Sequence, residues 1–216
     1  MASLLAVVCL LSGLLAPGYA ISCAQCLTTT STSCGSSALK CASNLVCISI
    51  YQSTWTKNGE RKQFIRGCGR KRDCDKSGVF SIPESKYRFS ATCCDTSSCT
   101  PKTPVLPDFN FNLTTKTCTY CVSSTDTDCK SEQVMNCTKN EEKCATQNSI
   151  ITAGSNKQKS SVRGCASKSY CELKEQKSES GGIKTNIVIK CSACTALYSA
   201  LTLLITVTAS IMANVF

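Results

Sequence analysis

Hydrophobic and polar positions divide the chain into three regimes. The first twenty residues, MASLLAVVCLLSGLLAPGYA, have a continuous apolar centre, and the stretch from Leu197 to Phe216 contains no charged side chain. Between them the chain is polar, with short alternating segments. The clearest is LVCISIYQSTWTKNGERKQFIRGC, where Val46, Ile48 and Ile50 fall at every second position, Asn58-Gly59 follows, and Phe64 and Ile65 return. Alternation on both sides of Asn-Gly predicts a β-hairpin turning at Asn58-Gly59. The corresponding stretch from Cys144 to Cys165 is more polar and predicts a second hairpin around Ala153-Gly154-Ser155-Asn156.

Composition sharpens the picture. Twenty cysteines in 216 residues is the density of secreted folds stapled by disulfides. The apolar start, ending in the small residues Gly18 and Ala20, reads as a cleaved signal peptide over residues 1–20, and Cys9 leaves with it. The uncharged C-terminal stretch follows small residues and has no cytoplasmic Lys or Arg behind it. That is the pattern of a glycosylphosphatidylinositol (GPI) attachment signal, removed when lipid is added; a membrane-spanning helix is the competing reading.

The cysteines repeat. From Cys23 the steps to Cys26, Cys34, Cys41, Cys47, Cys68, Cys74 and Cys93 are 3, 8, 7, 6, 21, 6 and 19, and Cys94 and Cys99 follow. From Cys118 the steps to Cys121, Cys129, Cys137, Cys144, Cys165, Cys171 and Cys191 are 3, 8, 8, 7, 21, 6 and 20. The sixth cysteine closes the same tripeptide in both, Arg66-Gly67-Cys68 and Arg163-Gly164-Cys165. Such self-similarity marks two copies of one domain. Residues 101–117, with three prolines, read as an exposed, extended linker between domains at 21–100 and 118–192, ahead of a removed propeptide at 193–216. The sequons at Asn112 and Asn136 predict N-glycans on a secreted protein. Each copy is too small and polar to rely on a hydrophobic core alone, so disulfides must carry it.

The Cys-x-x-Cys start, the hairpin between the fifth and sixth cysteines and the closing CCDTSSC at Cys93 resemble the urokinase-receptor and lymphocyte-antigen (uPAR/Ly6, or LU) domain. That resemblance implies an all-β, disulfide-rich protein of two tandem three-finger domains. For the first copy it implies the pairs Cys23 with Cys47, Cys26 with Cys34, Cys41 with Cys68, Cys74 with Cys93 and Cys94 with Cys99. For the second it implies Cys118 with Cys144, Cys121 with Cys129, Cys137 with Cys165 and Cys171 with Cys191. The second copy lacks the family's adjacent cysteine pair, and Cys194 is left over. Lipid attachment at Ser192, or at neighbouring Ala193, would keep Cys191 and discard Cys194, so every remaining cysteine is paired. Attachment upstream, at Ser180 or Gly181, would strip Cys171 of its partner, forfeiting about 3 kcal/mol.

The chain has no histidine, which removes the usual general base and the Ser-His and Cys-His nucleophile pairs. Ser37-Ala38-Leu39-Lys40 fits an S-x-x-K pattern but lacks its companion motifs. Zinc at the Cys-x-x-Cys pairs conflicts with an oxidising compartment, Asp126 and Asp128 read as a solvated loop, and no cofactor is expected. Charge is distinctive. From Lys57 to Arg72 there are seven basic residues against Glu60 alone, enough to attract an acidic protein, anionic glycans or phospholipid headgroups, or simply to guard a strand edge. Nucleic acid is not expected outside the cell. Tyr51, Trp55, Lys57, Arg61 and Lys62 form the candidate contact patch on the first hairpin; the competing role for Trp55, the only tryptophan, is to fold back over the strands. The expectation is a non-catalytic receptor or adhesion-type protein on the outer face of the plasma membrane, GPI-anchored, that binds a protein ligand through its finger loops. The alternative is a soluble phospholipase A2 inhibitor, as the family's serum inhibitors also have two such domains.

Overall fold

The computed structural model describes residues 20–32, 34, 37–180 and 182–196. The expected leader up to residue 19 and the tail from Leu197 lie outside them. The chain runs β1 (Ser22–Thr28), β2 (Ser37–Lys40), β3 (Leu45–Thr56), β4 (Gly59–Arg70), a 3-10 turn (Lys71–Asp73), β5 (Ser77–Ile82), β6 (Ser85–Cys94), β7 (Leu113–Thr119), β8 (Cys121–Ser123), β9 (Val134–Thr138), β10 (Lys143–Ala153), β11 (Asn156–Ala166), α1 (Lys168–Cys171), β12 (Glu175–Ser180), β13 (Ile183–Ala193) and β14 (Thr195–Ala196). The protein is all-β, as the alternating patterns require.

Two compact units form, and they do not follow the two repeats. The first holds the residues up to Ile50, Phe64–Asp75 and Ala91–Pro104. Here β1 pairs antiparallel with β2, Ser22 opposite Lys40, and with β4, Cys26 opposite Arg66. Its interior is largely sulfur: Cys23, Cys41 and Cys47 are buried, with Ile21, Leu45, Cys68, Cys94 and Cys99 packed around them. The disulfides here join Cys23–Cys47, Cys26–Cys34, Cys41–Cys68, Cys74–Cys93 and Cys94–Cys99. Cross-links substitute for the aliphatic core that so few large side chains cannot build. The linker departs from expectation here: Pro101 and Pro104 are buried, and the Thr92 hydroxyl donates to the Lys102 carbonyl.

The second unit holds Tyr51–Gln63, Lys76–Ser90 and the chain from Val105. Strand order is β12-β13-β10-β11-β5-β6-β3-β4, with β8 also on β11, while β14-β7-β9 form a separate sheet. Residues Lys143–Ala153 of β10 pair with Asn156–Ala166 of β11, so the polar hairpin is fully formed about a two-residue Gly154-Ser155 loop. Gly154 takes φ +59°, a conformation that favours glycine. The first hairpin turns one residue earlier than its Asn-Gly suggests: Lys57-Asn58 are the loop and Gly59, at φ +113°, opens β4.

The core of this unit is aromatic. Tyr170 of α1 stacks on Phe80 with centroids 5.3 Å apart and meets Phe89 edge-on at 6.2 Å, beside Ala145, Ala166 and Ile189. Ser167 caps α1: its Oγ accepts the Tyr170 N–H at 3.2 Å and also the Val79 N–H at 3.0 Å, fastening β5 to the helix. Buried Glu141 accepts from the Ser81 hydroxyl at 2.5 Å and the Thr138 N–H at 2.8 Å, which satisfies a carboxylate that would otherwise be costly inside. Disulfides Cys118–Cys144, Cys121–Cys129, Cys137–Cys165 and Cys171–Cys191 complete the unit.

Candidate ligand-binding surface

Side chains alternate across a strand, and this divides the contact patch read from the sequence. Ser53 Oγ donates to Glu60 Oε1 at 2.5 Å, so Tyr51, Ser53 and Trp55 of β3 share a face with Glu60 and Lys62 of β4. The Gln52 side-chain amide donates to Gln63 on the other face, which therefore carries Arg61. Lys57 sits in the turn and is exposed, as is Arg61. The structure thus brings Tyr51, Trp55 and Lys62 together and sends Arg61 to the opposite side.

The Trp55 face is crossed by residues 105–112, which contain no regular structure and act as a strap. Arg88 anchors it: one guanidinium nitrogen donates to the Pro107 carbonyl at 2.8 Å, the other lies 2.8 Å from Glu60, and the group stacks over the Phe109 ring at 4.1 Å. Lys86 Nζ lies 5.2 Å from the centre of the Phe111 ring, and Phe111 meets Trp55 edge-on at 5.5 Å. Trp55 therefore leans on the strap. Hydrogen bonds from Ser53 and Arg88 and the charge of Lys62, 3.3 Å away, hold the Glu60 carboxyl down at about 2, against the opposing effect of burial. Part of the finger's positive charge is thereby neutralised within the hairpin, and Lys62 is spent on Glu60 while Arg61 faces elsewhere.

A second feature, which no motif announces, is an apolar cleft of about 420 Å³. Phe80, Tyr87, Val162, Tyr170, Ile187 and Ile189 line much of it. The phenol of Tyr87 donates to Gln52 at 2.9 Å and that of Tyr170 to Gln147. Burial pushes both phenols well above the ordinary tyrosine range, so they act as neutral donors. Its lining comes from residues scattered between Phe80 and Ile189, a spread no local motif reveals.

The remaining sites fall as follows. Each Cys-x-x-Cys pair is divided between two disulfides, Cys23 from Cys26 and Cys118 from Cys121, so these sulfurs are not thiolates available to a metal. Ser37 and Lys40 are exposed on β2, and Asp128 pairs with Lys130 at 3.5 Å in an open loop beside exposed Asp126. Asn112 and Asn136 are both exposed, Asn136 on β9. Ser192 is exposed on β13 opposite Cys144. Cys194 keeps a thiol, its Sγ 3.5 Å from that of Cys118, and burial raises its pKa. In place of a closing cysteine pair, β14 lies on β7 with the Thr117 and Thr195 hydroxyls 2.9 Å apart.

Against known proteins, the chain matches the u-PAR/Ly-6 domain twice, over residues 19–102 and 114–198. The crystal structure of mouse TEX101 aligns with 82% of this chain and 99% of its own, at 17% identity and a TM-score of 0.34. With the domain match covering most of its length, in a sulfur-stapled all-β structure, the chain belongs to the u-PAR/Ly-6 family as a protein of two such domains.

Proposed function

We propose that this protein is a non-catalytic cell-surface receptor or adhesion protein, anchored by GPI lipid at Ser192, that engages an extracellular protein ligand through its first hairpin. Membership of a family of ligand-binding domains supports it. The observation that carries it is the placement of exposed Lys57 at the turn and exposed Arg61 on the face away from Glu60, where their charge is not consumed by the strap. Basic groups so placed steer an acidic partner.

Anchoring is tested on cells expressing the full chain. Treatment with phosphatidylinositol-specific phospholipase C should release the protein into the medium; retention would indicate a membrane span, and secretion without treatment the soluble-inhibitor alternative. The finger is tested by screening the multimerised ectodomain against displayed extracellular proteins. Arg61→Glu should weaken the captured interaction at least about tenfold, or 1.4 kcal/mol, and more than Lys62→Glu, whose lysine is already paired. Equal effects of the two reversals would refute the assignment.

A further inference from the structure

Asn112 stands between two apolar side chains that face water. Phe111 is 54% and Leu113 67% exposed, and Trp55, edge-on to Phe111, remains 36% exposed. Trp55 and Phe111 form an exposed apolar pair, and contiguous apolar surface is where interaction partners settle. The centre of this group is itself a glycan acceptor, Asn112-Leu113-Thr114. Its backbone is fixed by bonds on both sides: the Asn112 N–H donates to Asn110 Oδ1 at 2.9 Å, and the Asn112 carbonyl accepts from Lys139 N–H at 3.1 Å. The first of these bends the chain into an Asx turn, so Phe111 and Asn112 are not forced to opposite sides as they would be in a straight strand.

We propose that the N-glycan carried by Asn112 lies over the Trp55–Phe111 pair. The C–H face of a sugar ring packs on an aromatic ring while its hydroxyls stay in water, so the glycan covers apolar surface without stripping polar groups of their partners. The basic side chain of Lys86 already attends the Phe111 ring, and a neutral sugar adds no competing charge. With that face covered, a protein partner is confined to the side of the hairpin that carries Arg61. The inference rests on the secretory reading above but not on the identity of any ligand.

Trp55 is the only tryptophan in the chain, so its fluorescence reports on this spot alone. The full chain, expressed in mammalian cells and released with phospholipase C or extracted in detergent, is first mapped by glycopeptide mass spectrometry. Acrylamide quenching is then recorded on the folded protein before and after PNGase F. Removal of the sugar should raise the quenching constant about twofold, as expected for an indole uncovered on one face, with a red shift in emission. Asn112→Gln protein should show the high value from the start, and removal of the Asn136 glycan from that variant should change nothing. A bare Asn112, with or without a glycan at Asn136, would overturn the proposal while leaving secretion intact, because that reading is checked separately by the intact disulfides and by release from the cell surface. Quenching unchanged by deglycosylation overturns it directly.

Discussion

Gly164→Ala should cost about 3 kcal/mol or more, whereas Gly67→Ala in the matching tripeptide should stay within about 1 kcal/mol of the parent protein. A Cβ at Gly164 would stand 2.0 Å from the Ser81 carbonyl oxygen and 3.0 Å from Ile82 Cγ2. The first of these is backbone, in the strand pair that sets Cys165 opposite Ser81 and Ala166 opposite Phe80. A methyl group there cannot be accommodated by a rotamer change, so β5 must lift from β11, and the bond from Ser81 to Glu141 goes with it. At Gly67 nothing lies within 4 Å of the added carbon. Neither glycine has the positive φ that would strain an alanine, so the difference is purely one of space. Urea unfolding of the purified, disulfide-intact proteins, followed by Trp55 emission, measures both; equal effects of the two substitutions would show that β5 and β11 are not packed as described.

Tyr170→Ala should lower unfolding free energy by about 4 kcal/mol, the size expected when a buried aromatic ring is deleted from a packed core. Tyr170 is almost completely buried, stacks on Phe80, and is met edge-on by both Phe89 and Tyr87. Its hydroxyl donates to Gln147. Tyr170→Phe keeps the ring contacts and loses only that bond, so it should cost about 1 kcal/mol. The ratio between the two substitutions separates ring packing from hydrogen bonding in the same unfolding experiment, and a loss in Tyr170→Phe as large as in Tyr170→Ala would place the stabilisation in the hydroxyl instead.

The cysteine spacing made the duplicated all-β, disulfide-rich fold legible because sulfur positions are fixed by covalent geometry and tolerate little drift. The repeated Arg-Gly-Cys also marked the second copy, but as a repeat marker it concealed that its two glycines have unlike surroundings. Within the candidate site, Arg61 and Lys62 looked equivalent as neighbours in a basic run. The period of two along β4 puts neighbouring residues on opposite faces, a signal that a run of like charges hides. The role of residues 105–112 was hidden for a different reason. Prolines and a sequon describe a segment without strands, yet Arg88 and Lys86, distant in sequence, hold Phe109 and Phe111 against the hairpin. Tyr87 and Tyr170 belong to the same class: their partners come from strands joined only by tertiary pairing, and no local pattern announces them.

The outermost strand of the second unit, β12, carries Glu175, Gln176, Lys177 and Ser178, with Glu175 and Lys177 ion-paired at 2.7 Å. A neighbouring molecule seeking to extend the hydrogen-bond ladder there would have to desolvate these groups and find an apolar complement that the strand does not offer. That margin is guarded against fibril-like growth, and copies at high local concentration can stand side by side without fusing through it.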